Sequence, residues 1–592
     1  MRPRNYVGLA CTGHDNAVAI VDSNGIVRFA EATERHLQSK RALDAPPDRL
    51  FHIAEVVETY CEPDSELVLC LTWSQRSAEV VGRRKEQLET TFREVGSRLT
   101  ASSARTRRAG EFVLKRQRSY QQLADMHLSL RAAVGRNLAY HFPERLAQTR
   151  AYDHHLTHAA WACHMSPFAE AACVVIDGFG EATTASAYHY HCGALHPLRP
   201  RNTGSVDQTA GLGLFYADLC TLCGFDQWRG EEWKVMGLAA YGEDNPGLRK
   251  LLGDLVQLDG IGFRRSAGEF ASLARLLEDS AGASLGSRAA DLARAGQRIF
   301  EARLFGLCRN VRELVETDNL VLSGGCALNS SANGKVCSST GFTRLHIPCA
   351  PADDGNAVGA ALLAYFEDHP EAGPKLGLQS PYLGSRVDRE ALERAAQNSG
   401  LRVKRYDSNV ALCEIVAERL CAGDLVGWMQ GRAEFGPRAL GNRSILADPR
   451  RTETKDALNR AVKYREDFRP FAPAILSEYA AEYFEDYQES PYMERTLTWR
   501  APKRGKVPAA VHVDGTGRVQ TVKREWNPLF HMLLSAFHER SDVPVLINTS
   551  FNVMGKPIVH SVEDAMAVFV TTGLHLLAIE NYVFFKKSSR NA

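Results

Sequence analysis

The sequence predicts a two-domain α/β protein, with a larger N-terminal domain built on a duplicated pattern and a smaller α/β domain behind it. Three observations carry this. At 592 residues the chain exceeds what a single hydrophobic core usually spans. From Tyr6 to Glu31, short apolar runs alternate with turn residues (YVGLAC, TGHDN, AVAIV, DSNG, IVRFAE), and a related cadence returns in ACVVIDGFGEATTASAYHY, Ala172 to Tyr190. Both stretches read as β-meanders whose turns face one cleft. Finally, HPEAGPKLGLQSPYLG, His369 to Gly384, is rich in Pro and Gly and precedes a fresh α/β pattern. A boundary near residue 375 gives domains 1–375 and 376–592.

Composition narrows the function. With 71 basic and 70 acidic residues the net charge is +1, which supplies no global field for nucleic acid or an anionic membrane, so charge arguments must be local. No apolar run approaches the roughly 18 residues that span a bilayer. The opening MRPRNYVGLACTGHDN lacks a signal-peptide pattern. The 14 cysteines are scattered, and a chain this large needs no disulfide scaffold. A cytoplasmic protein with reduced thiols and no membrane partner is expected. Cys220 and Cys223 have no second pair at zinc-finger spacing and are expected to pack on a helix face.

The stretch from Arg76 to Arg118 is rich in Arg and Lys, with helical spacing in RRKEQLETTFREV. It reads either as a solvated charged helix pair or as a lid or acceptor-binding insertion. Aromatic interleaving is too sparse there for nucleic acid.

Three constellations carry chemistry. In YDHHLTHAAWACH a helix starting near His154 places His154 and His158 one turn apart on one face. Asp177 ends the strand ACVVID, and Asp353 and Asp354 share the loop of APADDGNA. Carboxylates beside a His pair make a mixed nitrogen and oxygen site that suits Fe(II), Mn(II) or Zn(II) better than magnesium alone. Without the Glu of His-Glu-x-x-His, a metalloprotease is disfavoured. Next, SGGCALN, Ser323 to Asn329, follows a strand and precedes an expected helix. Gly324, Gly325 and Asn329, with Asn333 downstream and DDGNAVGAA as a second loop feeding a helix, suit a nucleotide whose phosphates point at the metal. Last, GRAEFGPRALGNRSILADPR and KYREDFRPFAP concentrate Arg438, Arg443, Lys463, Arg465 and Arg469 among glycines, prolines and aromatics. Guanidinium forks on rigid turns bind phosphate or carboxylate. Asn548, Thr549, Ser550 and Asn552 follow an apolar strand and offer partners to a small planar amide.

At this point the residues resemble the NodU/TobZ/CmcH carbamoyltransferases of nodulation-factor, antibiotic and toxin biosynthesis. The matching stretches are GHDNAVAIV, HHLTHAA, VVIDGFGE, EEWKVMGLAAYG, SGGCALNSSANG, DDGNAVGAA, EFGPRALGNRS, KYREDFRPFAP and INTSFNVMGKPIV, in order along nearly the whole chain. The resemblance implies a TsaD-like N-terminal domain of actin-like ATPase (ASKHA) fold and a YrdC-like C-terminal domain. It implies conversion of carbamoyl phosphate and ATP, with Mg(II) on the nucleotide, to carbamoyl adenylate, followed by iron-assisted transfer to a small-molecule alcohol.

By match of motif, the resemblance makes His154, His158, Asp177 and Asp353 the metal ligands. It gives carbamoyl phosphate to Arg438, Lys463, Arg469, Arg518, Asn548 and Ser550. His14 becomes the base that deprotonates the acceptor, for which an imidazole suits neutral pH. Lys40 resembles a lysine contacting the transferred group, with Arg41 beside it as a competing register. Where members often read EEER this chain has EATER, Glu31 to Arg35, a departure among the acceptor contacts. Two other readings are a tRNA threonylcarbamoyladenosine-type enzyme and a non-catalytic nucleotide-binding partner. The acceptor's identity, the native metal and the oligomeric state, a homodimer among the options, stay open.

Overall fold

The first meander becomes three antiparallel strands, β1 (Arg4–Ala10), β2 (Ala17–Val21) and β3 (Val27–Ala32). In the computed structural model, which describes residues 2–83, 85–86, 104–199, 210–278, 285–373 and 379–586, β1 also pairs in parallel with β4 (Glu66–Thr72), and β4 with β5 (Leu146–Tyr152). The sheet order is β3-β2-β1-β4-β5. The second meander gives β6 (Glu170–Ile176), β7 (Ala185–His191) and β8 (Ala194–Pro197), again antiparallel. After a small hairpin of β9 (Gln257–Asp259) and β10 (Gly262–Arg264), β11 (Asn319–Ser323) pairs in parallel with β6, and β12 (Arg344–His346) with β11.

Sheet order β12-β11-β6-β7-β8 therefore repeats the first sheet strand for strand and direction for direction. This is the duplicated α/β pattern that the two meanders predict. Buried apolar runs such as AVAIV and ACVVI explain why the central strands hold their places.

The helix Asn356–Asp368 ties this unit together. Its sequence NAVGAALLAYFED puts small residues where the backbone must come close. A Cβ on Gly8 of β1 would sit 1.8 Å from the Ala357 carbonyl oxygen, and one on Gly359 would sit 1.9 Å from that of Thr157. Glycine at these two positions lets the helix seat on β1 and against the helix His154–His164.

The chain divides into two compact units. The first comprises Met1–Thr33, Arg41–Asn329 and Lys335–Gln379. The second comprises Glu34–Lys40, Ser330–Gly334 and Ser380–Ala592, so two short stretches belong with it that a linear cut assigns to the N-terminal domain. Hydrogen bonds explain the exchange: Arg35 Nη2 donates to the Gly436 carbonyl at 2.8 Å, Gln38 Nε2 to that of Ile558 at 3.0 Å, and Asn333 Nδ2 to that of Glu494 at 2.8 Å. The boundary expected near residue 375 and most of RRKEQLETTFREV lie outside the described residues.

The second unit is a nine-stranded mixed sheet. In chain order its strands are β13 (Arg402–Arg405), β14 (Val426–Met429), β15 (Arg443–Ala447), β16 (Ala472–Leu476), β17 (Arg495–Thr498), β18 (Thr516–Val522), β19 (Val545–Ser550), β20 (Leu576–Ile579) and β21 (Tyr582–Phe585). The spatial order is β13-β21-β20-β14-β15-β19-β16-β18-β17. Trp428, Phe471, Trp499, Phe530 and Phe584 anchor its core. Among the described residues no helix is long and apolar enough to cross a membrane.

Replacing Gly8 by Ala is expected to destabilise the first unit by about 1–3 kcal/mol, since the added methyl meets backbone that cannot swing aside. Denaturant unfolding checks this, and an unchanged midpoint would contradict the seating of the helix.

Candidate functional site

The helix His154–His164 opens on Asp153, whose carboxylate accepts from the Leu156 amide and fixes where the helix begins. That start sets His154 and His158 on one face, both buried. Asp177, at the end of β6, and Asp353, in the turn before Asn356–Asp368, converge on them. His154 Nε2 lies 3.4 Å from Asp177 Oδ2 and 3.5 Å from Asp353 Oδ1, and the corresponding distances from His158 Nε2 are 3.1 and 3.3 Å. One ligand atom from each of the four residues lies within 4.8 Å of all the others.

The electrostatics state what this cluster lacks. Burial alone would lower the His154 pKa, yet Asp353 and Asp177 outweigh it and raise it to about 10. His158 is raised against its burial by the same carboxylates. Burial would raise Asp177, but hydrogen bonds from His154 and His158 hold it well below the usual carboxylate range. Asp353 is likewise lowered against burial and against the charge of Asp177. Two buried carboxylates need two positive charges, which two imidazolium groups or one divalent cation with neutral imidazoles can supply. The donor set and its convergence fit a metal ion. Asn356, whose amide lies 3.4 Å from His154 Nδ1 and whose Oδ1 is buried without a partner, can orient the ring. With Oδ1 turned to accept, Nδ1 keeps its proton and Nε2 offers its lone pair inward.

His14 joins this site. In the β1–β2 turn, its Nδ1 lies 2.9 Å from Asp15 Oδ2 and 3.7 Å from Asp353 Oδ2. Arg41 Nη2 in turn contacts Asp15 at 3.2 Å. Lys40 is not among these residues: it belongs to the second unit, pairs with Glu34 at 3.6 Å, and its charge bears on Lys463.

The SGG turn also reaches the cluster. Gly324 has φ 89°, and a Cβ there would meet the Ile176 carbonyl oxygen at 2.2 Å, while one on Gly325 would lie 3.0 Å from Asp177 Oδ1. These glycines let the end of β11 close on the strand that carries Asp177. The expected helix after them is instead a 3-10 turn, Gly325–Leu328, and a four-residue helix, Ser330–Asn333, too short to add a helix dipole. Asn329 exchanges 3.0 Å hydrogen bonds with Gln297, and Asn333 lies in the second unit. Of the four residues read as a nucleotide site, Gly324, Gly325 and Asn329 belong to the first unit and Asn333 to the second.

In the second unit, cations gather where carboxylates are scarce. Lys463 is buried and donates to Asn552 Oδ1 at 2.7 Å, to the Asn552 carbonyl at 3.1 Å and to the Ser550 carbonyl. Burial, then Arg465, Arg469 and Lys40, push its pKa well down. Burial and Arg518 do the same to Arg438, burial lowers Arg518 to about 10, and burial with Arg469 and Arg518 depresses Arg465. Arg469 has Glu466 at 3.7 Å. Asn548, on β19, donates to Gln520 Oε1 at 2.8 Å and to the Ala439 carbonyl at 3.2 Å, and so braces the Arg438 loop. Mutually repelling, desolvated cations of this kind call for an anion.

One residue singled out for that charge behaves differently. Arg443 is fully buried, and its guanidinium donates to the carbonyls of Gln430, Asn442, Ser385 and Gly431 at 2.7–3.2 Å. It is a strut for the 431–442 loop. Sequence reasoning passed over Asp15 and Asn356, although each stands inside a motif it had quoted, and it had named Arg465, whose Nη2 is buried with no hydrogen-bond partner among the described residues.

Comparison with known proteins adds identity to geometry. The family model described as Carbamoyltransferase N-terminus matches residues 5–362, and the one described as Carbamoyltransferase C-terminus matches 417–586. An uncharacterized protein of Synechocystis is 37% identical over 472 residues, 73% of this chain and 76% of its own length. Nodulation protein NolO of Bradyrhizobium diazoefficiens is 36% identical over 451 residues, 74% and 79% of the two chains. The 3'-hydroxymethylcephem-O-carbamoyltransferase of Streptomyces clavuligerus is 32% identical over 338 residues, 56% and 60%.

Two thermal-shift measurements test the sites. A divalent ion at about a hundred times its dissociation constant is expected to add about 2.7 kcal/mol to wild type and nothing to His158→Ala. Millimolar inorganic phosphate is expected to raise the midpoint of wild type but not of Lys463→Met, because an anion offsets the burial and the cation repulsion that lower the Lys463 pKa.

Proposed function

Since this chain belongs to the carbamoyltransferase family and is an enzyme that moves carbamoyl groups, we propose that it is an ATP-dependent O-carbamoyltransferase acting on a small-molecule alcohol in secondary metabolism. The observation that carries this reading is the presence of two chemically opposite sites. One is a buried cation cluster in the second unit, and the other is a buried His and Asp cluster beside His14 in the first.

In the proposed sequence, residues 376–592 act as a YrdC-like activation domain. Arg438, Lys463, Arg469 and Arg518 bind the phosphate of carbamoyl phosphate, and Arg465 adds a further charge. Asn548 and Ser550 orient the amide end. Water hydrolyses carbamoyl phosphate to carbamate and inorganic phosphate, and a carbamate oxygen then attacks the α-phosphorus of ATP, expelling pyrophosphate and leaving carbamoyl adenylate. ATP, with Mg(II), is the co-substrate, and Gly324, Gly325, Asn329 and Asn333 are proposed to hold nucleotide.

Transfer is proposed in the first unit, residues 1–375 in the TsaD-like reading. An ion held by His154, His158, Asp177 and Asp353, Fe(II) by resemblance with Mn(II) or Zn(II) also suited to the donors, supplies Lewis acidity. Asp15 fixes His14 through Nδ1, which leaves Nε2 to take the proton of the acceptor hydroxyl. The hydroxyl oxygen then bonds the carbamoyl carbon and AMP departs with the electron pair. Lys40, placed near Lys463, is proposed to act on the carbamoyl or phosphate group in the activation half. Arg41 stays with the transfer half as the partner of Asp15.

The balanced charge, +1 overall, does not favour a tRNA substrate. The retained cation cluster argues against a non-catalytic nucleotide sensor.

Substituting Asp353→Ala or His158→Ala is expected to abolish carbamoyl transfer while pyrophosphate release from ATP and carbamoyl phosphate persists within about threefold. Lys463→Met is expected to lose pyrophosphate release by two or more orders of magnitude, on the order of the 3–4 kcal/mol expected of an electrostatic stabiliser. Equal loss of both steps in the Asp353 variant would refute the division of labour.

A further inference from the structure

The helix Ala104–Ala133, inserted between β4 and β5, buries Val113, Gln117, Tyr120, His127 and Leu130, a stripe at helical spacing. This stripe faces the transfer site from three directions. The His127 ring lies 4.3 Å from Trp73, whose ring lies 4.6 Å from His154. Tyr120 meets Phe179, in the turn after Asp177, edge to face at 5.0 Å. A Cβ on Gly13, next to His14, would find Met126 Cβ at 3.3 Å and the His127 amide at 3.8 Å. Arg116 pins the helix by donating to Asp218 and Glu269, each at 2.9 Å, and Arg131 pins it to Ser77 Oγ at 2.8 Å and the Trp73 carbonyl at 2.9 Å.

Polar atoms on this face lack partners. Among the described residues, Gln117 Oε1, Tyr120 OH and Trp73 Nε1 are buried without a hydrogen bond. His127 is 3% exposed and engages at most the Cys11 backbone, which leaves a ring nitrogen over. A buried polar group without a partner costs stability, and four along one seam beside a catalytic centre call for a ligand. They combine an acceptor, a donor and two groups able to be either, which is the complement of hydroxyls. The aromatic faces of Trp73 and Phe179 offer apolar contact to the flat side of a ring. Nearby carboxylates are committed: Asp218 and Glu269 to Arg116, Glu181 to Ser74, and Asp15 to His14 and Arg41. Among the described residues, the charges that bear on His127 are the cationic Arg131 and His154, which disfavour an ammonium group beside it.

Resting on the carbamoyl-transfer reading, we infer that the inner face of this helix selects the acceptor, and that the acceptor is a neutral polyhydroxylated ring bound through Gln117, Tyr120 and His127 against Trp73. The four atoms are closed to water, so the helix shifts outward to admit the ring. Gln117, Tyr120 and His127 are specificity-determining contacts, whereas Arg116 is a positioning residue.

The test uses the full chain, with D-glucose and D-glucosamine as probes that differ by one charged group. Calorimetry is expected to show D-glucose binding, weakened about tenfold in Tyr120→Phe and in Gln117→Leu, as loss of one buried hydrogen bond predicts. With ATP and carbamoyl phosphate, carbamoylation of D-glucose should exceed that of D-glucosamine. The two variants should raise KM about tenfold while kcat and pyrophosphate release stay within about twofold of wild type, which also reports that they are folded. Undetectable D-glucose binding, equal or stronger binding of D-glucosamine, or unchanged affinity in both variants would overturn the inference. Wild type that binds D-glucose but releases no pyrophosphate would instead count against the proposed reaction and leave the acceptor face standing.

Discussion

Two carboxylates facing two imidazoles in a water-poor pocket are the constraint on which the first unit is organised. Neither Asp177 nor Asp353 could stay ionised there unaided, since removing one charge from water costs several kcal/mol. Their pKa values are held down because His154 and His158 stand 3.1–3.5 Å away. The fold is arranged to keep that company. Asp177 ends a strand of the second sheet, the His pair begins a helix, and Asp353 stands at the mouth of a helix seated on the first sheet. Each therefore lies where a strand or helix ends and the backbone can turn toward a shared point.

The second unit solves the opposite problem. Arg438, Lys463, Arg465 and Arg518 are cations whose pKa values burial depresses, with mutual repulsion adding to it for Arg438, Lys463 and Arg465. Such a cluster is tolerable when an anion arrives to occupy it. A chain with one pocket short of cations and another short of anions can divide a reaction into an anionic activation and a metal-assisted transfer. This physical opposition is what the proposed division of labour rests on.

Much of the site was legible because its residues sit in motifs whose local physics is strong. His154 and His158 could be paired from their spacing of four once a helix was taken to start near His154, a start that Asp153 fixes by capping it. The two meanders were legible because AVAIV and ACVVI are strand cores between turns, and their repetition foreshadowed two sheets of one topology. What could not be read depends on long-range partners. Nothing local distinguishes Arg443, spent on four carbonyls, from Arg438 five residues earlier. Nothing local separates Lys40 from Arg41, although they belong to different compact units. The short helix after Gly325 also defeated reading, because Ala327, Leu328 and Ser330 are compatible with a longer one. The seam of unpartnered groups from Gln117 to His127 became visible only when Trp73, Phe179 and Gly13 were brought beside the inserted helix.

The claim that everything else leans on is that the His and Asp cluster holds a metal ion. Elemental analysis by inductively coupled plasma mass spectrometry of protein purified without chelators tests it most directly. The account predicts one tightly held transition-metal ion per wild-type chain, and none in a His158→Ala, Asp177→Asn double variant that keeps its far-ultraviolet circular dichroism. Wild type that carries no such ion and takes up none after anaerobic incubation with Fe(II), Mn(II) or Zn(II) would contradict it.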